Sequence, residues 1–122
     1  MSMKTSDFFV QRLKEWGVTR IYGYPGDGIN GVLGAIQRAN KSGDGIEFIQ
    51  VRHEEMAAFM AVGHAKFTGE LGVCLSTGGP GATHMLTGLY DAKMDHAPVL
   101  AIAGQAETTA RGASYQQEMN LD

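Results

Sequence analysis

The sequence predicts an α/β fold, a doubly wound parallel sheet flanked by helices. Short β-rich runs alternate with amphipathic stretches along most of the chain, and each crossover between strands is long enough for a parallel connection. Glycine is also enriched, with 17 among 122 residues, roughly twice its ordinary share. These glycines stand where apolar runs stop, which is typical of turns and of backbone that closely approaches a ligand.

The first predicted element is a helix that Thr5 or Ser6 caps and Gly17 ends. Its apolar residues recur at i, i+4 and i+7, as one buried helix face requires. These residues are Phe9, Leu13 and Trp16. We therefore expect this face to pack on the sheet.

The alternation continues with a β-rich run at 20–24 and a second helix that ends within 40–45. The apolar stripe of this second helix is Ile29, Leu33 and Ile36. The later predicted elements are a strand at 46–51, a helix at 53–66, a strand at 71–76, a helix at 82–93 and a strand at 98–103. From 105 to 122 the periodicity fades and no closing element follows. We expect a single domain, residues 1–122, that is a fragment of a longer protein.

Composition excludes several classes of function. The net charge is −3, and without a Lys/Arg run to neutralise phosphates the chain is not expected to bind nucleic acid. No apolar run approaches the ~18 residues needed to span a bilayer, so a membrane protein is not expected. The single cysteine, Cys74, lies among apolar neighbours and indicates a reduced, cytoplasmic protein. No His/Cys cluster has metal-ligand spacing, so we expect no metal site.

Three polar or glycine-rich loops follow the first three predicted strands, at residues 24–28, 52–55 and 77–81. In a parallel sheet the carboxyl ends of the strands meet at one edge, and ligands bind in the crevice there. Three such loops at one edge are better support for a site than any one of them. The sequence therefore predicts a ligand site built from all three.

One of these loops also satisfies a dinucleotide-binding pattern. Residues 26–31 read G-x-G-x-x-G between a strand and a helix, and Glu54 could serve as the ribose-binding acid. Against this, Asp27 puts a negative charge in a loop that would receive phosphates, and a full helix precedes the first strand. Glu54 also stands past the strand tip. NAD binding is therefore kept only as an alternative.

The loop at 52–55 carries two adjacent acids, Glu54 and Glu55, at the start of a helix. Acids there can simply complement the helix dipole. Successive helical residues point about 100° apart, however, so one acid can face a site while the other faces solvent. The following residues, 56–62, are apolar on every side of the helix, and one sheet face cannot cover them all. We infer a subunit interface with a carboxylate at its mouth.

With these features the sequence resembles the pyrimidine-binding (PYR) domain of thiamine-diphosphate-dependent enzymes. The resemblance runs in order from about residue 5 to residue 120. The segments that carry it are Tyr22-Gly23-Tyr24-Pro25-Gly26, Val51-Arg52-His53-Glu54-Glu55, Ala57-Ala58, Ala61, Gly63-His64-Ala65, Gly79-Pro80-Gly81-Ala82-Thr83-His84, Gly88-Leu89-Tyr90-Asp91-Ala92 and Pro98-Val99-Leu100. The His-Glu-Glu triplet and Leu89-Tyr90-Asp91-Ala92 are most similar to pyruvate oxidases, and acetolactate synthases are near neighbours.

The resemblance implies that Glu54 is the catalytic residue. Its carboxyl would bind N1′ of the aminopyrimidine and favour the imino tautomer, which activates the thiazolium for decarboxylation of a 2-oxoacid, here pyruvate. The carboxyl must exchange a proton near neutral pH, so we expect burial to raise the pKa of Glu54. His64 stands where many members have an aromatic residue.

The resemblance also implies the remaining site residues. The cofactor-binding set is Pro25, Gly26, Glu54, Thr77, Gly78, Gly79, Pro80, Gly81 and His84. For His84 a plain helix-surface position is an equal alternative. Gln117 would border the substrate pocket, although Gln116 replaces the aromatic residue usual before it. His53 is expected to be structural and His96 a loop residue.

Cofactor chemistry beyond the pyrimidine would depend on other domains. The resemblance implies that Mg²⁺ and the diphosphate are held by a further domain, and FAD, in pyruvate oxidases, by a middle domain. It implies a homodimer or homotetramer, and an isolated PYR domain without activity. One alternative is an acetolactate-synthase-like carboligase. A second is a stand-alone, non-catalytic binding module of the same fold.

Overall fold

The computed structural model describes residues 2–120 and contains a four-stranded, all-parallel sheet in the order β2-β1-β3-β4. The strands are β1 Arg20–Gly23, β2 Glu47–Gln50, β3 Gly72–Ser76 and β4 Val99–Ala103. The helices are α1 Thr5–Glu15, α2 Asn30–Lys41, α3 Glu54–Thr68, α4 Pro80–His84 and α5 Leu86–Met94. A short 3₁₀ turn, Asp27–Ile29, precedes α2. The predicted α/β fold is confirmed.

Helices cover both faces of the sheet, because successive side chains of a strand point to opposite faces. Ile21 of β1 packs into a core with α1 and α2, whereas its neighbour Tyr22 packs against α3. On β3, Val73 and Leu75 belong to the first core and Cys74 to the second. The sheet is therefore doubly wound, as predicted.

The start and the stripe of α1 differ from the prediction. The N-cap is Lys4, not Thr5 or Ser6, and the Lys4 backbone N–H donates to Asp7 Oδ2 at 3.3 Å. Trp16 is 66% exposed, because the helix ends at Glu15 and leaves this residue at the C-cap. The fully buried residues of α1 are Val10 and Leu13.

The single helix predicted at 82–93 is two helices. Its first part begins at Pro80, whose fixed φ and missing N–H suit the first position of a helix. The break falls at Met85, which is buried between α3 and the sheet. The other elements lie within a few residues of their predicted bounds.

Helices α3 and α5 pack side by side, and small residues bring them close. A Cβ added to Gly88 of α5 would lie 2.5 Å from Ala58 Cβ. The large apolar side chains of the two helices point away from this contact and are exposed: Met56, Phe59, Met60, Phe67, Leu86, Tyr90 and Met94. Among the described residues, no helix is long and apolar enough to cross a membrane.

Candidate functional site

The strand order places a crevice between β1 and β3. The chain runs from β1 to β2 on one side and then returns to β3 on the other, so the carboxyl ends of β1 and β3 form a topological switch point. Thr77 joins the two loops there, because its Oγ1 accepts a hydrogen bond from the Gly28 N–H at 3.2 Å. Gly26 packs on the same side chain, and a Cβ at Gly26 would lie 2.6 Å from Thr77 Cβ.

The dinucleotide alternative fits this loop poorly. The Gly28 N–H, which a pyrophosphate would need, already donates to Thr77, and the Asp27 carboxylate accepts from Asn30 Nδ2 at 3.3 Å. The loop is closed by contacts within the chain, and its charge would repel phosphate.

Glu54 is the first residue of α3 and is only 9% exposed. The preceding residue, His53, caps the helix, and its Nδ1 accepts a hydrogen bond from the Glu55 N–H at 3.2 Å. Glu55 is half-buried and points in another direction. The two acids therefore differ in environment, as the helical geometry predicts.

The two carboxyl oxygens of Glu54 each contact a residue of α4. One carboxyl oxygen, Oε2, lies 2.9 Å from Nδ1 of His84, the last residue of α4. The other oxygen, Oε1, faces Gly81, where an added Cβ would lie 3.3 Å from it. Because glycine has no side chain, Oε1 can lie against the backbone of Gly81. Glu54 thus joins α3 to α4.

The electrostatic environment of Glu54 differs from the expectation. Burial acts to raise the pKa of Glu54. The hydrogen bond from His84 and a hydrogen bond from the backbone N–H of Glu54 act to lower it, and so do the charges of His84 and His53. The net result is that the pKa of Glu54 lies below its ordinary value. The prediction of a raised pKa is wrong for this chain alone, because burial is outweighed by the hydrogen bonds and by the charges of the two histidines.

The predicted substrate residue, Gln117, lies against the glycine loop. Gly79 has a φ of +63°, a conformation that favours glycine, and a Cβ there would be 2.7 Å from Gln117 Cα. Gly78 is equally confined, with an added Cβ 2.9 Å from Gly104 O. A cleft of about 310 Å³ opens beside these residues. Its lining comprises Asp27, Gly28, Gly78, Gln105, Ala106, Tyr115, Gln116 and Gln117.

The structure brings half of the predicted site residues together around the carboxylate. Those joined around the carboxylate are Gly26, Glu54, Thr77, Gly81 and His84. Gly78 and Gly79 adjoin Gln117 instead, and Pro80 is exposed at the start of α4. Pro25 borders a separate cleft beside Leu33 and Phe48.

His53 has the structural role expected of it, as the N-cap of α3 and as a stacking partner of His84. Its ring stacks on that of His84, with centroids 4.5 Å apart and planes 28° from parallel. One ligand-type atom from each of His53, Glu54 and His84 lies within 4.8 Å of the others. Both Nδ1 atoms are already engaged, one with the Glu55 N–H and one with Glu54. We therefore describe a hydrogen-bonded cluster and assign no metal to it.

His64 lies on the far part of α3 and takes no part in this cluster. Its Nδ1 is 3.3 Å from the Tyr22 hydroxyl, and its Nε2 is 3.4 Å from Glu70 Oε2. His96 lies in the turn before β4, with a φ of +53°. It is a loop residue, as predicted.

The fold and the site together define an α/β ligand-binding domain with a buried carboxylate at its switch point. Comparison with known proteins narrows this class. The family described as "Thiamine pyrophosphate enzyme, N-terminal TPP binding domain" matches residues 3–122. The chain belongs to this family, and the resemblance inferred from its motifs is confirmed.

Individual relatives include several enzymes. Pyruvate oxidase of Lactiplantibacillus plantarum is 48% identical over 111 residues, which are 91% of this chain and 18% of that protein. Acetolactate synthase of Arthrospira platensis is 45% identical over 112 residues, 92% of this chain and 19% of that protein. Acetolactate synthase isozyme 2 large subunit of Escherichia coli is 40% identical over 119 residues, 98% and 21% respectively. The chain spans about a fifth of the length of these relatives.

Proposed function

We propose that this chain binds the aminopyrimidine of thiamine diphosphate and that Glu54 activates the cofactor for decarboxylation of a 2-oxoacid, with pyruvate as the substrate. The observation that carries the proposal is the buried Glu54 carboxyl at the switch point, with Oε2 held by His84 and Oε1 facing Gly81. The membership of the thiamine pyrophosphate family supports the choice of cofactor.

The residues present suit an aminopyrimidine ring. Gly26 and Gly81 both pack against Thr77, and the absence of a Cβ at these two positions lets the backbone after β1 and at the start of α4 lie close to Glu54. Glu54 Oε1 supplies a hydrogen-bonding partner for a ring nitrogen. When bound, thiamine diphosphate supplies the electron sink for decarboxylation.

Glu54 is the residue of this chain that would hold and move a proton. In the chain alone its pKa is lowered, so the carboxyl is charged near neutral pH. A ring that covers it would remove its remaining solvent, and burial favours the protonated carboxyl. Ligand binding would thereby shift Glu54 toward the proton exchange that acid–base catalysis requires.

We propose that the diphosphate, its Mg²⁺ and any FAD are held by other domains of the full-length enzyme. No Lys or Arg is present among the candidate site residues, and the chain has a net charge of −3, so nothing here would anchor a diphosphate. On this proposal residues 1–122 form one pyrimidine-binding domain of a multidomain protein, and this domain alone is inactive.

We further propose that the enzyme is a homodimer or homotetramer that uses the exposed apolar residues of α3 and α5. An alternative is that the chain's own last residues cover α3. The described part of that segment lies elsewhere, with Gln117 against Gly79 and Met119 beside α5 and β4. Phe59 remains 42% exposed. A second copy of the chain is therefore the proposed occupant.

A cytoplasmic location is proposed from the state of the single cysteine. Cys74 is fully buried in β3, and burial raises the pKa of its thiol to about 12. Such a thiol is inert and suits a reducing compartment.

The alternatives differ in what the full-length protein does with pyruvate. An acetolactate-synthase-like carboligase would join two pyruvates, whereas an oxidase would pass electrons from one pyruvate to an acceptor. The triplet His53-Glu54-Glu55 and the segment 89–92 favour the oxidase. A non-catalytic module would do neither. Incubation of the full-length protein with pyruvate, thiamine diphosphate and Mg²⁺, with and without an electron acceptor, tests all three. Acceptor-independent acetolactate would overturn the oxidase proposal.

A further inference from the structure

The hydrogen bond between His84 and Glu54 couples an exposed group to a buried one. The two residues are 30 positions apart, and His84 Nδ1 lies 2.9 Å from Glu54 Oε2. The His84 side chain is 45% exposed, whereas that of Glu54 is 11% exposed. A solvent-accessible ring therefore acts directly on the buried carboxyl.

The fold holds the His84 ring in place from two sides. Helix α4 is short and begins at Pro80, after the left-handed turn at Gly79, so its last residue reaches α3. On its other side the ring stacks on His53, which is itself fixed as the N-cap of α3. A ring that merely lay on a helix surface would have neither contact.

We propose that His84 is a positioning residue for Glu54: it binds Oε2 and leaves Oε1 as the atom that faces the cofactor. The proposal rests on the proposed function of Glu54. A charge-assisted hydrogen bond of this kind is stronger than a neutral one. It offsets the cost of burying the carboxylate.

The groups that act on Glu54 are few. The titratable residues that influence its carboxyl are His84, from α4, and His53, at the start of α3. The affinity of the site for the aminopyrimidine should therefore follow the titration of Glu54, and His84 should have the larger influence of the two histidines because its Nδ1 bonds the carboxyl directly.

The test uses full-length protein without cofactor and the variants His84→Ala and His84→Gln. The matched control is His96→Asn, which changes an exposed histidine outside the cluster and suits its positive φ. Carboxyl-¹³C NMR follows the titration of Glu54, whose signal is identified by its loss in Glu54→Gln. We expect the pKa of Glu54 to rise in His84→Ala, to rise less in His84→Gln, and to stay unchanged in the control.

Thiamine diphosphate affinity, measured with Mg²⁺ across the same pH range, gives the second readout. Because a bound ring favours the protonated carboxyl of Glu54 whereas His84 favours the charged one, His84→Ala should bind about 10- to 100-fold more tightly near neutral pH, with a smaller gain in His84→Gln and a pH dependence displaced to higher pH in both. An unchanged Glu54 titration in His84→Ala would overturn the proposal. If that titration shifts while Glu54→Gln leaves cofactor activation intact, the coupling stands and only the proposed function is wrong.

Discussion

Gly88 of α5 packs directly on Ala58 of α3, so closely that a Cβ on Gly88 would lie 2.5 Å from Ala58 Cβ and 2.9 Å from the Phe59 backbone nitrogen. This contact sets the spacing of the two helices whose outer surfaces are apolar. It also packs α5 against α3, the helix that begins at Glu54. The packing of two small residues is therefore linked to the site and to the proposed interface.

We expect Gly88→Ala to destabilise the fold by about 1–3 kcal/mol, the usual cost of overpacking a tight core contact. The matched control is Gly63→Ala in α3, where an added Cβ meets nothing within 4 Å. There the higher helix propensity of alanine should stabilise the chain by up to about 1 kcal/mol. Urea unfolding of both variants measures the difference. Equal stabilisation by both substitutions would show that α3 and α5 are not in tight contact.

In the full-length enzyme, Glu54→Gln should preserve the fold and lose most cofactor activation. Glutamine keeps the shape of the side chain but cannot exchange the proton, and acid–base steps contribute roughly 10²–10⁴ in rate. Exchange of the C2 proton of bound thiamine diphosphate is the measurement. Glu55→Gln is the control, because Glu55 is less buried than Glu54, and Glu54 is the acid that His84 bonds. Near-normal exchange in Glu54→Gln would remove Glu54 from its proposed role.

The general layout of the site followed from the sequence, because it depends on a rule of topology. Parallel strands bring their carboxyl ends to one edge, and the loops after β1, β2 and β3 meet there through Thr77 and Glu54. The family resemblance indicated that Glu54, and not Glu55, is the acid of the site. In the structure Glu54 is the buried one of the two.

Other features depended on contacts that no local pattern reveals. The bond between His84 and Glu54 joins residues 30 positions apart, so neither the stacking of His53 nor the sign of the Glu54 pKa shift could be read from the motif. The break at Met85 has no glycine or proline at the break itself, and Pro80 marks only the start of α4. The capping bond at Lys4 joins its backbone N–H to the Asp7 side chain, so the identity of residue 4 does not encode it.

The ion pair between Asp7 and Arg38 should make the contribution of Arg38 to stability depend on pH. Arg38 Nε donates to Asp7 Oδ1 at 2.9 Å, and this hydrogen bond lowers the pKa of Asp7. A carboxyl with a lowered pKa stabilises the fold above its unfolded pKa and loses this effect as pH falls through the folded value. Arg38→Gln should therefore be less stable than the parent protein near pH 7, and the two should converge in acid.

Urea midpoints at several pH values between 2 and 7, on the scale of the ordinary Asp pKa of ~3.9, test this. The effect should be small because exposed ion pairs contribute little, and added salt should reduce it. A stability difference that grows as pH falls would contradict the assignment.

The isolated chain should bind free thiamine diphosphate weakly or not at all. Most of the charge of the cofactor is in its diphosphate, and the candidate site residues include no Lys or Arg to receive it. Isothermal titration calorimetry of the 122-residue chain with thiamine diphosphate and Mg²⁺ measures this, with the full-length protein as the positive control. Micromolar affinity of the isolated chain would show that the anchoring groups lie within it.

The chain should self-associate through the exposed apolar residues of α3 and α5. Met56, Phe59 and Met60 of α3 and Tyr90 of α5 are all at least one third exposed. Burying a large apolar side chain fully is worth about 1.5–3 kcal/mol, so several of them favour association. Analytical ultracentrifugation over a range of concentrations gives the oligomeric state, and Phe59→Asp should shift it to monomer without unfolding the chain.

Trp16→Asp is the control for that substitution. Trp16 is another exposed aromatic residue, 66% exposed, but it follows α1, which packs on the opposite face of the sheet from α3. The same charge there should leave association unchanged, because a two-fold interface uses one surface patch from each copy. If Trp16→Asp abolishes association and Phe59→Asp does not, the interface lies on the α1–α2 face. If the parent chain stays monomeric at high concentration, the exposed residues of α3 and α5 do not bind a second copy in this fragment.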